Sequence, residues 1–256
     1  AIDFVREFFG MNFPDAVTYL LNGETGELVI QKDFQQEKVR EKKTLVIPKK
    51  NDNMKRVYAY LMKKRYINRD VITYFAKQGT LYESAEHHNI VFAGVDKDGN
   101  IRHIHKKGTN SDGNSFRINE EGSEPAYGFG HAGESNKLYV FEAPIDLLSF
   151  LSLYPHNWMW NSYITLNGVS EHALLGMLRR YENLDEVILC LDHDAAGIEA
   201  CGRLAEIVMC EGDYKVKKLQ SKYKDWNEDL KGINGVEAVP AEEHPKIIEC
   251  RNWIDK

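Results

Sequence analysis

The feature that most constrains this sequence is a regular alternation of short apolar runs and helix-spaced leucines over residues 137–219. Strand-like runs begin near residues 138, 163, 187 and 214, and amphipathic helical patterns fill the intervals between them. Strands that alternate with helices favour a mainly parallel sheet with helices on both faces. In such sheets ligands bind outside the carboxyl ends of the strands. The pattern therefore predicts an α/β domain whose site lies at that edge.

Three acidic residues follow the predicted strands at this edge. Glu142 comes after the first strand, and Asp192 and Asp194 come after the third. Carboxylates that meet at one point repel each other unless a cation lies among them, and oxygen ligands without Cys or His favour Mg²⁺ or Mn²⁺. The alternative is that Asp192 and Asp194 cap the helix that begins near Ala195. Capping explains one aspartate but not the pair with Glu142, so the sequence predicts a Mg²⁺ or Mn²⁺ site at these three residues.

Upstream of this domain the sequence predicts a smaller α+β domain. Helix-spaced apolar residues run over residues 54–79 and are interrupted near Asn68. Two alternating apolar runs, residues 89–95 and 101–105, flank an Asp-Gly turn and predict a β-hairpin. Residues 108–135 are rich in Gly, Ser and Asn, which predicts a long loop.

The N-terminal part predicts two short helices within residues 1–22 and a polar linker over residues 23–48. The chain begins without Met on what is already the apolar face of a helix, so we expect the natural N-terminus to lie upstream. The expected organisation has three parts: an N-terminal region (1–25), a basic linker with the α+β domain (26–135), and the α/β domain with a C-terminal extension (136–256).

The formal net charge of −6 is distributed unevenly along the chain. Residues 38–69 hold twelve Lys and Arg side chains against Glu41 and Asp52, a local charge of +10 that leaves −16 elsewhere. A basic segment on an acidic protein suits a contact with the phosphate backbone of a nucleic acid. A solvated helix face or a linker explains it equally well. Including the hairpin, the candidate nucleic-acid-binding residues are Lys49, Lys50, Lys55, Arg56, Lys63, Lys64, Arg65, Arg102, Lys106 and Lys107.

The composition also excludes some classes of protein. No apolar run approaches the roughly 20 residues that cross a bilayer, and the start lacks the pattern of a signal peptide. We therefore expect a cytoplasmic protein without a membrane partner. The four cysteines form no CxxC pair, so we expect reduced thiols and no zinc site within this chain.

Four segments, in order, resemble motifs of the Toprim family. Residues 140–146 resemble the first motif, an acid after the first strand, with Ala143 where glycine is usual. Residues 165–169 resemble the turn after the second strand, and residues 191–197 resemble the Asp-x-Asp motif with its following Ala-Gly. Residues 224–229 are similar to the Lys-Asp-x-Asn-(Asp/Glu) segment of primase-like members.

This resemblance implies a Toprim-type, Rossmann-like fold and phosphodiester chemistry on nucleic acid. Asp192 and Asp194 would be the catalytic Mg²⁺ ligands, and Glu142 would be a ligand or a general acid or base. Four further residues are candidates for supporting the metal or contacting a phosphate: Asp146, Lys224, Asp225 and Asp229. An acid at a helix N-terminus and a surface turn with a helix cap explain these four nearly as well.

The upstream segments resemble parts of primase-like proteins. Residues 1–20 resemble the tail of the CHC-type zinc ribbon that precedes bacterial primase cores, and residues 45–129 resemble an uncharacterised domain that precedes Toprim in proteins of plasmids and conjugative elements. The hairpin is similar in layout to the primase segment that lines the template and nucleotide groove.

Together these resemblances imply a primase-like enzyme of a plasmid or mobile element. It would make RNA primers from nucleoside triphosphates on single-stranded DNA, with a helicase or a relaxase as a candidate partner. One alternative is a Toprim nuclease acting on DNA. The other is a non-catalytic DNA-binding accessory of replication or mobilisation, which Ala143 in place of glycine keeps open.

Overall fold

The structure is a computed structural model that describes residues 2–22, 43–109 and 116–242. The chain divides into two compact units, Ala1–Glu41 and Lys42–Lys256. The first unit contains helices α1 (Ile2–Phe9) and α2 (Phe13–Asn22), as the sequence predicts. Most of the predicted linker lies outside the described residues.

The second unit begins with two helices and an antiparallel sheet. Asn68, where the sequence predicts a break, caps the second helix, because its side chain accepts a hydrogen bond from the backbone N–H of Asp70 at 2.7 Å. The predicted hairpin forms the centre of the sheet, whose strands follow one another in chain order. The elements are α3 (Lys55–Lys63), α4 (Arg69–Lys77), β1 (Leu81–Glu83), β2 (Ile90–Val95), β3 (Ile101–Lys107) and β4 (Arg117–Asn119).

The second sheet carries five strands in the described residues: β5 (Gly130–His131), β6 (Lys137–Phe141), β7 (Ser162–Thr165), β8 (Glu186–Leu189) and β9 (Lys215–Lys218). Their order across the sheet is β5-β7-β6-β8-β9. The last four strands run parallel, and only β5, at the edge, is antiparallel to its neighbour β7. The prediction of a mainly parallel sheet preceded by an α+β region is confirmed.

Helices cover both faces of this parallel sheet. They are α5 (Pro144–Leu153), α6 (His172–Arg180), α7 (Ala195–Glu211) and α8 (Trp226–Ile233), with a 3₁₀ helix at Trp158–Trp160. The apolar faces of α6 and α7 pack on one side of the sheet. On the other side, α5 and α8 share a buried cluster with α3, α4 and the antiparallel sheet, in which Phe92, Phe141 and Trp226 take part. The two sheets therefore share one hydrophobic core.

The sequence missed the shortest elements. Strands β4 and β5 both lie within residues 108–135, so the prediction of a continuous loop there is wrong. Strand β1 has only three residues and was not predicted. In the ranges that the structure describes, no helix is both long and apolar enough to cross a bilayer.

Candidate active site

A pocket of about 190 Å³ lies between the antiparallel sheet and the carboxyl edge of the parallel sheet. Its walls carry charges of both signs. The acidic side chains are Glu142, Asp146, Asp192 and Asp225, and the basic side chains are Arg65, Lys107, Arg117 and Lys224. The structure thus brings carboxylates from three separate stretches of the chain to one concave surface, together with four cations, two of which lie on the antiparallel sheet.

Strand order explains why Glu142 and Asp192 line the same pocket. Strands β6 and β8 are parallel neighbours in which Val140 pairs with Leu189. The pairing continues past the end of β8, where the N–H of Cys190 donates to the carbonyl of Val140 at 2.8 Å. Glu142 is the first residue after β6 and Asp192 is the third after β8, so both side chains emerge at the same edge.

Asp192 is the carboxylate with the least compensation. Its Oδ1 atom is buried and has no hydrogen-bond partner among the described residues. Burial, together with Glu142, Asp225 and Asp194, raises the pKa of Asp192 to about 8, while Lys224 opposes the shift. A desolvated carboxylate oxygen without a donor is costly, and a cation coordinated by that oxygen removes the cost.

Asp194 has a different environment. Its Oδ1 accepts a hydrogen bond from the N–H of Gly197 at 3.0 Å and caps α7, while its Oδ2 lies 3.6 Å from Nζ of Lys224. The capping alternative therefore holds for Asp194, whose Oδ2 still faces the charged cluster. It does not account for Asp192.

Glu142 and Asp146 flank the start of α5. Burial, and then Asp194, raises the pKa of Glu142, whereas Arg117 and Lys224 lower it. Burial, followed by Asp192 and Asp225, holds the pKa of Asp146 well above its usual range. Between them, Ala143 has a φ of −134°, a conformation open to any residue. The departure from the usual Toprim glycine therefore introduces no backbone strain.

The segment 224–229 surrounds the start of α8. Oδ1 of Asp225 caps this helix by accepting from the N–H of Glu228 at 2.8 Å, and burial raises the pKa of Asp225. The two oxygens of Asp229 accept from the backbone N–H groups of Lys222 at 3.0 Å and Tyr223 at 2.7 Å. Asp225 therefore lines the pocket and Asp229 shapes the loop before it.

The donor set fits a hard divalent cation. Across residues 2–22, 43–109 and 116–242, no three Asp, Glu, His or Cys side chains stand close enough together to hold a metal ion. The pocket nevertheless offers oxygen ligands, and the buried Oδ1 of Asp192 has no hydrogen-bond partner among the described residues. Glu142, Asp192 and Oδ2 of Asp194 are the groups that would hold Mg²⁺.

Strand alternation separates the basic residues of β3. Successive side chains point to opposite faces of a strand, and Lys107 lines the pocket. Lys106 points to the opposite face and pairs with Glu120. Arg102 lies at a register shift of β3 against β2, and its Nε lies 2.8 Å from Oδ2 of Asp96. Of these three candidates, Lys107 is the one that the structure places at the site.

Arg117 is a pocket residue that sequence reasoning missed. It lies opposite Lys107 in the register of β3 and β4. Burial, followed by Arg65 and Arg117, lowers the pKa of Lys107 to about 8. A three-residue strand within a Gly- and Ser-rich segment has no readable periodicity, so the sequence offered no signal beyond the charge of Arg117 itself.

The other basic candidates lie along α3 and before it. Lys55, Arg56, Lys63 and Lys64 are exposed, and Arg65, just after α3, is half-buried in the pocket wall. Lys49 is exposed, and Nζ of Lys50 lies 5.1 Å from the ring centroid of Tyr82.

Two histidines near the site are held by hydrogen-bond partners. Nδ1 of His193 lies 2.8 Å from the carbonyl oxygen of Ser221, and Nδ1 of His105 lies 2.7 Å from Oδ1 of Asn119. Burial lowers the pKa of His105. These contacts support a structural role for both rings.

Comparisons with known proteins agree with this architecture. Residues 139–230 match the family described as Toprim-like, and residues 59–135 match the family described as protein of unknown function DUF3991. The uncharacterised plasmid protein pXO2-78 of Bacillus anthracis is 25% identical over 259 residues, which cover 91% of this chain and 73% of that protein. The uncharacterised MG010 homologue of Mycoplasma pneumoniae is 33% identical over 98 residues, 38% of this chain and 44% of its own length.

The primase fragment of the bacteriophage T7 primase-helicase protein has a similar fold. It superposes with a TM-score of 0.50 at 20% identity, over 75% of this chain and 73% of the fragment. The predicted resemblance to Toprim proteins, with an uncharacterised domain before the Toprim domain, is confirmed.

Proposed function

We propose that this chain, which carries a Toprim-like domain preceded by a DUF3991 region, is a Mg²⁺-dependent primase-like nucleotidyltransferase. In this reaction the 3′-hydroxyl oxygen of one ribonucleotide bonds to the α-phosphorus of a nucleoside triphosphate, pyrophosphate leaves, and the hydroxyl proton is released. The single observation that carries the proposal is the pocket that four carboxylates and four cations line together. Transfer of a nucleotidyl group between polyanions needs both.

The acidic wall supplies the ligands. Asp192, Glu142 and Oδ2 of Asp194 would hold the ion, and Asp225 lies beside them. Mg²⁺ held by these residues would supply charge neutralisation for a phosphoryl group and alignment of the attacking and leaving oxygens. Asp146 is a buried residue of the same wall, and its raised pKa favours the neutral form, which limits the repulsion within the cluster.

The basic wall supplies phosphate contacts. Arg65 and Arg117 present planar guanidinium groups, which match phosphate oxygens in a bidentate geometry. Lys107 and Lys224 add point charges on either side. The exposed cations of α3 continue the positive surface away from Arg65, which suits the backbone of a single-stranded template.

The relatives support this assignment without deciding it. The similarity to the T7 primase fragment concerns the fold, and one fold can host many activities. The relative from pXO2 favours a role in replication of a plasmid or mobile element. Single-stranded DNA and nucleoside triphosphates are the proposed partners, with a helicase or a relaxase as a further candidate.

A primer-synthesis assay tests the proposal. The purified chain is incubated with a single-stranded DNA template of mixed sequence, labelled ribonucleoside triphosphates and Mg²⁺, and products are resolved on a denaturing gel. We expect short RNA products that require both the template and the metal. Asp192→Asn should abolish them, because it removes the negative charge of the uncompensated carboxylate.

Asp213→Asn is the matched control, since Asp213 is an exposed aspartate in the turn between α7 and β9. It should leave product yield unchanged. RNA synthesis that survives Asp192→Asn would overturn the assignment of the site. Shortening of the DNA without added nucleotides would identify a nuclease instead, and template binding without any product would identify a non-catalytic accessory.

A further inference from the structure

We propose that Asn227 is a positioning residue which, with Tyr60, fixes the Arg65 guanidinium in the pocket wall for contact with a phosphate group. The inference rests on the proposed function, because the phosphate would belong to a nucleotide or to the nucleic-acid backbone. Asn227 itself would not touch the substrate. It acts through Arg65, which lies far away in the sequence and comes from the other part of the fold.

Asn227 contacts Arg65 at both ends of that residue. Nη1 of the guanidinium donates to Oδ1 of Asn227 at 3.0 Å, and Nδ2 of Asn227 donates to the backbone carbonyl of Arg65 at 2.8 Å. One side chain therefore fixes both the backbone position and the head group of Arg65. A long side chain held at both ends loses most of its rotamer freedom before a ligand arrives.

The orientation of the Asn227 amide is itself determined. The side chain is 2% exposed, and Nδ2 also donates to Oγ of Ser149 at 2.9 Å. Ser149 is completely buried in α5, and its hydroxyl donates to the carbonyl of Ile145 at 2.7 Å, so Oγ accepts from Asn227. Because Nδ2 faces two acceptors, Oδ1 must face the guanidinium, and a flipped amide would lose all three bonds.

Tyr60 holds the guanidinium from a second side. Nε of Arg65 donates to the hydroxyl oxygen of Tyr60 at 2.9 Å, and the guanidinium carbon lies 5.4 Å from the centroid of the Tyr60 ring. An arginine has five N–H donors. Tyr60 and Asn227 engage one each, which leaves three that neither partner uses, on a side chain that lines the pocket.

The contacts of Asn227 and Tyr60 with Arg65 also keep its guanidinium from pairing with a carboxylate. Asp192 and Asp225 lie in the same pocket as Arg65, and an unrestrained guanidinium would form a bidentate pair with a carboxylate. Such a pair would remove both the phosphate contact and a ligand of the proposed ion. Neutral partners such as Asn227 and Tyr60 hold Arg65 in place without cancelling its charge.

A double-mutant cycle measures whether Asn227 acts through Arg65. Asn227→Ala, Arg65→Ala and the double variant are compared with the unmodified chain in two binding assays. Fluorescein-labelled oligo(dT) reports contact with a nucleic-acid backbone by anisotropy, and a fluorescent ATP analogue reports contact with a triphosphate. We expect Asn227→Ala to weaken at least one of these by about 10-fold when Arg65 is present, and by less than about twofold when it is absent.

Asn234→Ala is the matched control, since Asn234 follows the same helix and its side chain contacts the carbonyl of Leu230. It should change neither affinity. If Asn227→Ala fails to fold in a urea titration, Tyr60→Phe replaces it in the cycle, because it removes only the hydroxyl that accepts from Nε. We expect Tyr60→Phe to weaken binding by about threefold, and only when Arg65 is present.

Equal losses with and without Arg65 would overturn the inference, as would a chain that binds neither probe. The cycle measures binding and not primer synthesis. If the chain binds the probes but makes no primers, the binding data still test the role of Asn227. Failure of primer synthesis and failure of this inference are therefore separate results.

Discussion

A β-carbon at position 197 would lie 2.2 Å from the backbone carbonyl oxygen of Asp192, so Gly197 and Asp192 are in direct backbone contact. The N–H of Gly197 also donates to the side chain of Asp194. The first turn of α7 thus packs directly against the segment that carries both aspartates. Only glycine permits this approach, which gives the Ala-Gly of the motif a physical reason.

Gly197→Ala should therefore push α7 away from the aspartates. We expect the free energy of unfolding to fall by about 2–3 kcal/mol, as for other overpacked sites. Gly202→Ala on the same helix is the control, because no atom in the described part of the chain lies within 4 Å of a β-carbon there. It should stabilise the protein by about 0.5–1 kcal/mol through helix propensity. Urea titrations measure the free energy of unfolding of both variants. Equal changes in Gly197→Ala and Gly202→Ala would contradict the packing argument.

Asp192→Asn should stabilise the metal-free protein while abolishing ion binding. The substitution removes a carboxyl group that folding must either protonate or bury as a charge among other carboxylates. We expect the free energy of unfolding to rise by about 1–3 kcal/mol in chelator at neutral pH, the usual trade of stability for function at such sites. Urea titration measures the free energy of unfolding, and calorimetric titration with Mn²⁺ measures ion binding. Asp213→Asn should change neither, and a destabilised Asp192→Asn would refute the charge argument.

The stability of the metal-free protein should depend on pH through Asp192. Its pKa is about 8 in the folded state, against about 3.9 in an unfolded chain. Between these values the folded state binds more protons than the unfolded state, so the free energy of unfolding falls as the pH rises. The difference between the unmodified chain and Asp192→Asn isolates this contribution.

Thermal melts in chelator at about pH 5 and about pH 8 measure the slope. We expect the melting temperature of the unmodified chain to fall more steeply with pH than that of Asp192→Asn. Added Mg²⁺ should raise the melting temperature more at the higher pH, where proton competition is weaker. Parallel slopes for the two proteins would show that Asp192 does not titrate in this range.

Lys107 and Lys106 are adjacent lysines on opposite faces of one strand, which makes them a natural pair of variants. Lys107→Gln removes a cation from the pocket, whereas Lys106→Gln removes one on the opposite face of the strand, where Lys106 pairs with Glu120. We expect Lys107→Gln to weaken binding of a single-stranded oligonucleotide and to reduce the slope of log K against log salt by about 0.7, the value for one phosphate contact on a single strand. Lys106→Gln should leave the slope unchanged.

The pH dependence of binding gives a second test of the contact made by Lys107. Because its pKa is lowered to about 8, raising the pH through this value removes its charge. Affinity for the oligonucleotide should therefore fall above about pH 8 in the unmodified chain and fall less in Lys107→Gln. Anisotropy titrations at several salt concentrations and pH values measure both effects, and a variant that keeps the full salt slope would argue against the contact.

The sequence predicts the parallel sheet and its acidic edge because both depend on local patterns. The alternation of strands and helices predicts a parallel sheet with a site at the carboxyl ends of its strands. Because Glu142 and Asp192 come soon after strands, the sequence places both residues at that edge. The adjacency of β6 and β8 is not local, since strand order depends on how the chain crosses over, and only the structure shows it. The different environments of Asp192 and Asp194 follow from the start of α7 at Ala195, a boundary that the sequence does give.

The basic wall is much harder to predict. The charges of Arg65 and Lys107 are visible in the sequence, but nothing there distinguishes these two residues from the other Lys and Arg residues beside them. Exposure and strand face decide which of these cations reaches the pocket. Asn227 is visible in the sequence only as part of a motif. Its contact with Arg65 spans 162 positions and depends on the packing of α8 beside α5 and the end of α3. No periodicity in the sequence encodes such a distance.

The positions of the pocket cations in the sequence determine what a truncated fragment of this protein would lose. Arg65, Lys107 and Arg117 precede residue 136, whereas every carboxylate of the pocket follows it. A fragment beginning at residue 136 would keep the negative wall with Lys224 alone to balance it, and would expose Phe141 and Trp226 where they now meet the upstream helices and sheet. Such a truncation would lose three of the four cations that line the pocket, so the upstream half is as much a part of the pocket as the half that bears the carboxylates.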